Sequence, residues 1–187
     1  MPHRPLLACL AAAAALTTPA AAQAPAAPRP SATAGAPAAR PADVASPRAL
    51  VAACYDVISG PAGPRDWDRF RSLFLPGARM TTASARGVRT LGVEDYVRNS
   101  GAVMLKEGFF ERGTRSRLDQ WAHTATIQSL YESRHAPGDV RPFARGINTF
   151  VMVEEGGRWW VASLSWEGET PATPIPADAL TQQPPVA

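Results

Sequence analysis

The hydrophobic period of this sequence changes near Gly108, from a helical spacing to an alternating one. Before that glycine, three segments have apolar residues at every third or fourth position. After it, four segments have apolar residues that alternate with polar ones. Two short strand-like segments interrupt the first half. The predicted order is therefore helix, helix, strand, strand, helix and then four strands. This order predicts an α+β domain whose helices pack on one face of a mainly antiparallel sheet.

Start and stop signals mark the three predicted helices. Ser46 can cap the first helix at its N-terminus, and Gly60 supplies its stop. Asp66 is a good N-cap for a short second helix. The third helix is predicted over about residues 92–107 and ends at Gly108.

The strands are predicted from alternation and turn residues. Two short strands are expected at roughly 78–83 and 87–91, and two longer ones at 109–120 and 123–135. The stretch 147–169 is predicted to be a β-hairpin because two glycines interrupt it between alternating apolar residues.

The terminal segments differ in composition from the domain between them. Residues 1–24 combine a basic start, an apolar run and small residues that fit a cleavage site, which is typical of a bacterial Sec-type signal peptide. Residues 25–45 are Pro/Ala-rich and predict a disordered linker, and residues 171–187 form a Pro-rich tail. The domain is therefore expected over 46–170, secreted or periplasmic, without membrane insertion after cleavage.

Composition excludes several classes of function. Of the formal net charge of +3, the leader and linker carry +2, so the domain is about neutral. With no run of basic residues and interleaved aromatics, no nucleic-acid binding is expected. Cys54 is the only cysteine after cleavage, so stability depends on a packed core. No spacing indicates a metal site, a phosphate loop or a bound cofactor.

This order of elements, with "DWDRFRSLFLPGARM" after the first helix and a final "GGRWWVASLSWEGE", resembles the NTF2-like (SnoaL-like) superfamily over most of residues 46–170. It is most similar to uncharacterised exported bacterial members, whose ends run W-x-x-E before a Pro-rich tail, as Trp166 and Glu169 do here. The resemblance implies a strongly curved, mainly antiparallel sheet wrapped around three helices as a cone. The open end of the cone forms a pocket, and the outer sheet face often forms a homodimer. The superfamily includes isomerases, cyclases, hydratases and non-catalytic modules, so the fold alone leaves the activity open.

One branch of this superfamily can be tested by its residues. Ketosteroid isomerases need an Asp base on the first strand after the second helix. They also need Tyr and protonated Asp side chains as hydrogen-bond donors. Here Thr81 and Thr82 stand where the base is needed, and no carboxylate lies between Asp68 and Glu94. Tyr55 can replace the tyrosine donor, but without the base the isomerase reaction does not carry over. Other branches use His and Asp, for which no position is assigned.

The predicted hairpin sorts its residues by face. If Gly156 and Gly157 form a two-residue loop, Glu155 opposes Arg158, and even positions of one strand share a face with odd positions of the next. The first face holds Asn148, Phe150, Met152, Trp159, Val161, Ser163, Ser165 and Glu167. The second face holds Ile147, Thr149, Val151, Val153, Trp160, Ala162, Leu164 and Trp166. Only a bulge or an odd-length loop mixes these sets.

The first face becomes polar toward Glu167, as expected for a cone that is packed at one end and open at the other. We therefore assign it to the interior and the second face to a homodimer interface. The interface residues of the second face are predicted to be Val151, Trp160, Leu164 and Trp166.

The candidate site follows from this assignment. Glu167 is the candidate general acid or base, and the alternative is a strand-end carboxylate paired with an arginine such as Arg145. Glu169 lies at the strand end, where a solvated role is expected. The predicted ligand-binding residues are Tyr55, Asn148, Trp159, Ser163 and Ser165. For Tyr55, core packing is the alternative. For Asn148, the alternative is hydrogen bonding to backbone groups.

Three functions remain open. The first is an exported homodimeric domain that binds a small, largely apolar ligand in its pocket. The second is a cofactor-independent lyase, isomerase or hydratase that uses Glu167. The third is a protein-interaction module whose interior is filled with side chains.

Overall fold

The computed structural model describes Thr33 and residues 35–181. The predicted signal peptide lies outside the described residues. Within the described part of the chain, no helix is both long and apolar enough to cross a membrane.

Three α-helices and one short 3-10 helix occupy the first half of the domain. They are the 3-10 helix Pro41–Val44, α1 (Pro47–Ile58), α2 (Trp67–Ser72) and α3 (Val93–Met104). Both predicted N-caps are confirmed, because the backbone N of Ala49 donates to Ser46 Oγ at 3.1 Å and the backbone N of Arg69 donates to Asp66 Oδ1 at 2.9 Å. These bonds satisfy amide groups that have no partner inside the helix. The third helix ends three residues earlier than predicted.

Six strands form one mixed sheet. They are β1 (Phe74–Ser84), β2 (Gly87–Gly92), β3 (Phe110–Trp121), β4 (Thr124–Arg134), β5 (Ala144–Glu155) and β6 (Arg158–Gly168). Their order in the sheet is β2-β1-β6-β5-β4-β3. The β1–β6 pair is parallel and the other four pairs are antiparallel. The predicted order of helices and strands is confirmed, and β1 is longer than expected.

The helices and one face of the sheet share a single apolar core. Tyr55 of α1 packs edge-on against Phe150 of β5, with ring centroids 6.2 Å apart. Phe70 of α2 stacks on Tyr96 of α3 at 5.2 Å. Each fully buried side chain of this size stabilises the fold by roughly 1.5–3 kcal/mol. The sheet face that contacts α1 is called the inner face here, and the opposite one the outer face.

The β5–β6 hairpin begins as predicted and then departs from simple alternation. Gly156 and Gly157 have φ values of +65° and +75°, which favour glycine in a two-residue loop. Glu155 pairs with Arg158, also as predicted, but after Val161 the register shifts by one residue. Val151 then pairs with Ser163, which leaves Ala162 as the extra residue of a β-bulge.

This bulge makes the predicted face assignment wrong for the second half of β6. Leu164 pairs with Phe150 and Trp166 with Asn148, so both belong to the inner face and not to an interface on the outer one. Ser163, Ser165 and Glu167 correspondingly lie on the outer face. The physical reason is that side chains alternate with a period of two, and one inserted residue reverses every later position.

The end of the segment predicted as a disordered linker is ordered against the domain. Val44 is buried, and the Arg69 guanidinium donates to both carboxylate oxygens of Asp43, at 2.7 and 3.0 Å. The folded part therefore begins a few residues before Ser46. Pro/Ala composition did not indicate this, since the contact depends on one aspartate and one valine.

The first part of the Pro-rich tail also contacts the domain. Arg115 Nη1 of β3 donates to the carbonyl oxygens of Ala177 and Ala179, at 2.9 and 2.8 Å. The backbone N of Ile175 donates to Glu169 Oε1 at 2.9 Å. These bonds hold residues 171–181 against the sheet.

Candidate functional site

A cavity of about 280 Å³ lies between the helices and the inner face of the sheet. Half of its lining residues are aromatic, among them Phe109, Tyr131 and Trp166. Its polar lining is small and is concentrated around Glu111 and Asn148. An apolar cavity with a few convergent polar groups is the usual form of a small-molecule site.

The polar end of the cavity is a connected hydrogen-bond network. Ser133 Oγ donates to Glu111 Oε2 at 2.8 Å, and Asn148 Nδ2 lies 3.3 Å from Glu111 Oε1. Asn148 Nδ2 also donates to the Tyr55 hydroxyl at 3.1 Å. That hydroxyl donates in turn to Ser129 Oγ at 2.8 Å. The side chains come from α1, β3, β4 and β5, so the network exists only in the folded protein.

Two local features fix Glu111. It pairs with Ser133 across β3 and β4, which puts both side chains on the inner face. Its backbone N donates to Ser59 Oγ at 3.0 Å, and the Ser59 hydroxyl lies 2.7 Å from the carbonyl oxygen of Tyr55. Ser59 caps the C-terminus of α1. The end of α1 and the start of β3 are thereby held together at the cavity.

Burial raises the pKa of the Glu111 carboxyl above its ordinary value. The hydrogen bonds from Ser133 and Asn148 act in the opposite direction, because they stabilise the ionised form. Glu111 forms no ion pair with any residue that the structure describes. It is thus an acid in an apolar site without a compensating cation.

The tyrosines of the cavity stay neutral at ordinary pH. Burial raises the pKa of Tyr131 to about 12, and it also raises the pKa values of Tyr55 and Tyr96. The charge of Glu111 contributes to each of these three shifts. Burial raises the pKa of the Cys54 thiol as well, so this cavity-lining cysteine is an unreactive thiol.

The structure brings two of the predicted ligand-binding residues together. Tyr55 and Asn148 are both buried, both line the cavity and are hydrogen-bonded to each other. Trp159 lies on the inner face as predicted but packs into the core away from the cavity lining.

The other predicted site residues are not in the cavity. Ser163, Ser165 and Glu167 lie on the outer face because of the bulge at Ala162, and Glu167 is exposed. The arginine proposed as its partner, Arg145, instead pairs with Glu169, with Nη1 2.8 Å from Oε2. Glu167 is therefore withdrawn as a candidate catalytic residue of this cavity.

Sequence reasoning missed Glu111, and a second bulge explains why. The register of β3 against β4 shifts between Gly113 and Arg115. Simple alternation therefore groups Glu111 with Arg115 and Arg117, which lie on the outer face. One local feature of the sequence could have indicated Glu111: this acid directly follows Phe109 and Phe110 at the start of a predicted strand.

The two histidines that the structure describes, His123 and His135, lie outside the cavity lining and have ordinary partners. His123 is exposed and its Nδ1 lies 3.1 Å from Glu154 Oε2. His135 stacks on Phe143, with ring centroids 4.2 Å apart. Among the described residues, no group of three or more His, Cys, Asp or Glu side chains is arranged to hold a metal ion.

Solved structures show what this fold is similar to. An NTF2-like protein of unknown function from Pseudomonas putida is 14% identical, with a TM-score of 0.51 over 73% of this chain and 89% of the other. A protein of unknown function with a cystatin-like fold from Nostoc punctiforme is 13% identical, with a TM-score of 0.52 over 67% and 90%. No protein-family model and no curated protein matches the sequence. The chain has the NTF2-like fold, as its resemblance predicts, and similarity at this level shows the fold alone.

Proposed function

We propose that this protein binds a small, largely apolar molecule with one polar group in the cavity beside Glu111. The observation that carries the proposal is the cavity itself, which is aromatic along its walls and polar at one end. Its volume of about 280 Å³ is near the lower end of ligand pockets, which run from about 300 to 1,000 Å³. Protein interiors normally pack without voids larger than a water molecule, so an unfilled space of this size favours a ligand over a purely structural interior.

The polar group of the ligand is expected to meet the Glu111 carboxyl and the amide of Asn148. Both are held in place by neighbours, since Ser133 fixes one carboxylate oxygen and Tyr55 fixes the amide. The ring or chain of the ligand then lies among the aromatic side chains. Burying an apolar group of phenyl size contributes roughly 1.5–3 kcal/mol.

Ligand-observed NMR with phenol, benzyl alcohol and benzamide tests this proposal. Ala144 lines the cavity, so Ala144→Trp fills it and should abolish the saturation-transfer signal. Ser165→Trp adds the same ring to the exposed outer face and should leave the signal unchanged. The proposal fails if wild type gives no signal with any of the three compounds, or if the two variants bind them equally.

A second candidate function is acid–base catalysis at Glu111, because burial raises the pKa of this carboxyl above its ordinary value and the carboxyl lines the cavity. This chemistry suits a cofactor-independent lyase, isomerase or hydratase. It replaces the mechanism that used Glu167 and keeps Tyr55 or Asn148 as the donor, since both line the same cavity.

Hydrogen–deuterium exchange at the methyl group of acetophenone is a direct assay for such a base. The carboxylate removes one methyl proton to form the enolate, and a deuteron from the exchanged carboxyl returns to carbon. Glu111→Gln should abolish the exchange catalysed in D₂O, whereas Glu167→Gln should leave it unchanged. Exchange retained in Glu111→Gln, or lost in Glu167→Gln, would contradict this candidate.

The outer face is proposed as the contact between two copies of the chain. Val151 lies at the middle of β5 on this face and is 39% exposed. Trp160 also belongs to it but is buried beneath the Arg158 guanidinium, 3.6 Å from the ring centroid. The proposed interface therefore rests on Val151 and on its β-branched neighbours on the same face of β5, Thr149 and Val153. Export remains a proposal as well, based on the pattern of residues 1–24.

A further inference from the structure

We propose that the ligand is a small organic cation, an amine or quaternary ammonium ion whose charged group lies against Glu111 and the neighbouring aromatic rings. This inference rests on the proposed ligand-binding function and adds the chemical class. It follows from three properties of the site: its charge, its lack of a cation, and the arrangement of its tyrosines.

Both carboxylate oxygens of Glu111 accept hydrogen bonds, but no cationic side chain that the structure describes neutralises the charge of the group. Its two partners, the hydroxyl of Ser133 and the amide of Asn148, are neutral donors. A carboxylate away from water is costly unless a cation compensates it. A cationic ligand supplies that compensation, and an anionic ligand is repelled.

The nearest arginines of the same two strands point to the other side of the sheet. Arg112 and Arg134 both pair with Glu132, with N to O distances of 3.5 and 2.9 Å. Glu132 and Arg112 face each other in the sheet one position from the Glu111–Ser133 pair, so alternation places them on the outer face. These arginines therefore neutralise a different carboxylate and leave Glu111 to a ligand.

Tyrosines from three separate elements share the cavity with Glu111. Tyr55 of α1, Tyr96 of α3 and Tyr131 of β4 all line the cavity, and the charge of Glu111 raises the pKa of each. Aromatic faces attract cations, most strongly where water is excluded, and cages of such rings recognise quaternary ammonium groups. A half-buried carboxylate in a cavity lined by aromatic rings combines both means of binding a cation.

The test compares choline with 3,3-dimethylbutan-1-ol, a neutral isostere in which carbon replaces the charged nitrogen. NMR chemical-shift titrations of the full domain give a dissociation constant for each. Wild type should prefer choline by about tenfold or more, and Glu111→Gln should lose that preference while still binding the neutral alcohol. Glu167→Gln should retain the wild-type preference.

Equal or tighter binding of the neutral alcohol by wild type overturns the inference, and this comparison needs no variant to fold. A preference for choline that survives in Glu111→Gln also overturns the role given to the carboxylate. If phenol binds but choline does not, the inference fails while the proposed ligand-binding function stands. If neither choline, its isostere nor the phenol panel binds, the proposed function fails too.

Discussion

Replacing Glu111 with glutamine should change how the stability of the protein depends on pH. Glutamine has nearly the shape of a protonated glutamate and cannot ionise. The side-chain carbonyl oxygen of glutamine can accept a hydrogen bond from Asn148. Its amide NH2 can donate one to Ser133 Oγ, because a hydroxyl accepts as well as donates. The substitution therefore keeps both hydrogen bonds and removes only the charge.

The sign and size follow from the raised pKa of Glu111. A carboxyl whose pKa is higher in the folded state binds its proton more tightly there, so the wild type loses stability as pH rises from the unfolded-state pKa through the folded-state one. The loss is about 1.4 kcal/mol for each unit by which the folded-state pKa exceeds the unfolded one. Below the unfolded-state pKa, near pH 4, variant and wild type should agree within about 1 kcal/mol.

Urea denaturation between pH 4 and pH 8 measures this difference. The free energy of unfolding of Glu111→Gln, minus that of wild type, should increase with pH and reach a plateau above the folded-state pKa. The exposed Glu167→Gln variant should run parallel to wild type throughout. A Glu111→Gln curve that is also parallel to wild type would refute a desolvated carboxyl at this position.

Three further predictions concern the frame around the site. Gly146→Ala should destabilise the fold by about 3 kcal/mol or more in urea denaturation, because the new Cβ meets a backbone oxygen of β6 at 2.3 Å. Gly138→Ala, with no atom within 4 Å of its Cβ, should cost almost nothing. Arg69→Ala leaves a largely buried aspartate of the 3-10 helix unpaired and should cost about 3 kcal/mol, whereas Arg40→Ala breaks an exposed pair and should cost less than about 1 kcal/mol by the same measurement. Val151→Glu puts a charge in the middle of the outer face, and light scattering at micromolar concentration should find it monomeric where wild type is dimeric; a monomeric wild type would contradict the proposed interface.

Local chemistry made most of the fold predictable. The N-caps Ser46 and Asp66 and the loop Gly156–Gly157 depend on the residue itself and its next few neighbours, so the sequence indicates them directly. The alternation after Gly108 likewise follows from the apolar residues of each strand. These signals determined the order of helices and strands.

The site was harder to predict because it depends on two bulges. The extra residue Ala162 moved Glu167 from the inner to the outer face, and the shift near Thr114 put Glu111 on the inner one. Whether a bulge forms depends on how neighbouring strands pair and bend in the folded sheet. No distinct local sequence marks it in either strand, so alternation alone does not predict it. Tyr55 and Asn148 were correctly placed because Tyr55 lies in a helix and Asn148 in β5, and neither element contains the extra residue of a bulge.

The most direct test of the account is a crystal structure of the protein soaked with phenol. Electron density for the ring should lie among the aromatic side chains of the cavity, with the hydroxyl within hydrogen-bond distance of the Glu111 carboxyl. Density for phenol only elsewhere, such as on the outer face near Glu167, with none in the cavity at saturating concentration, would contradict the account.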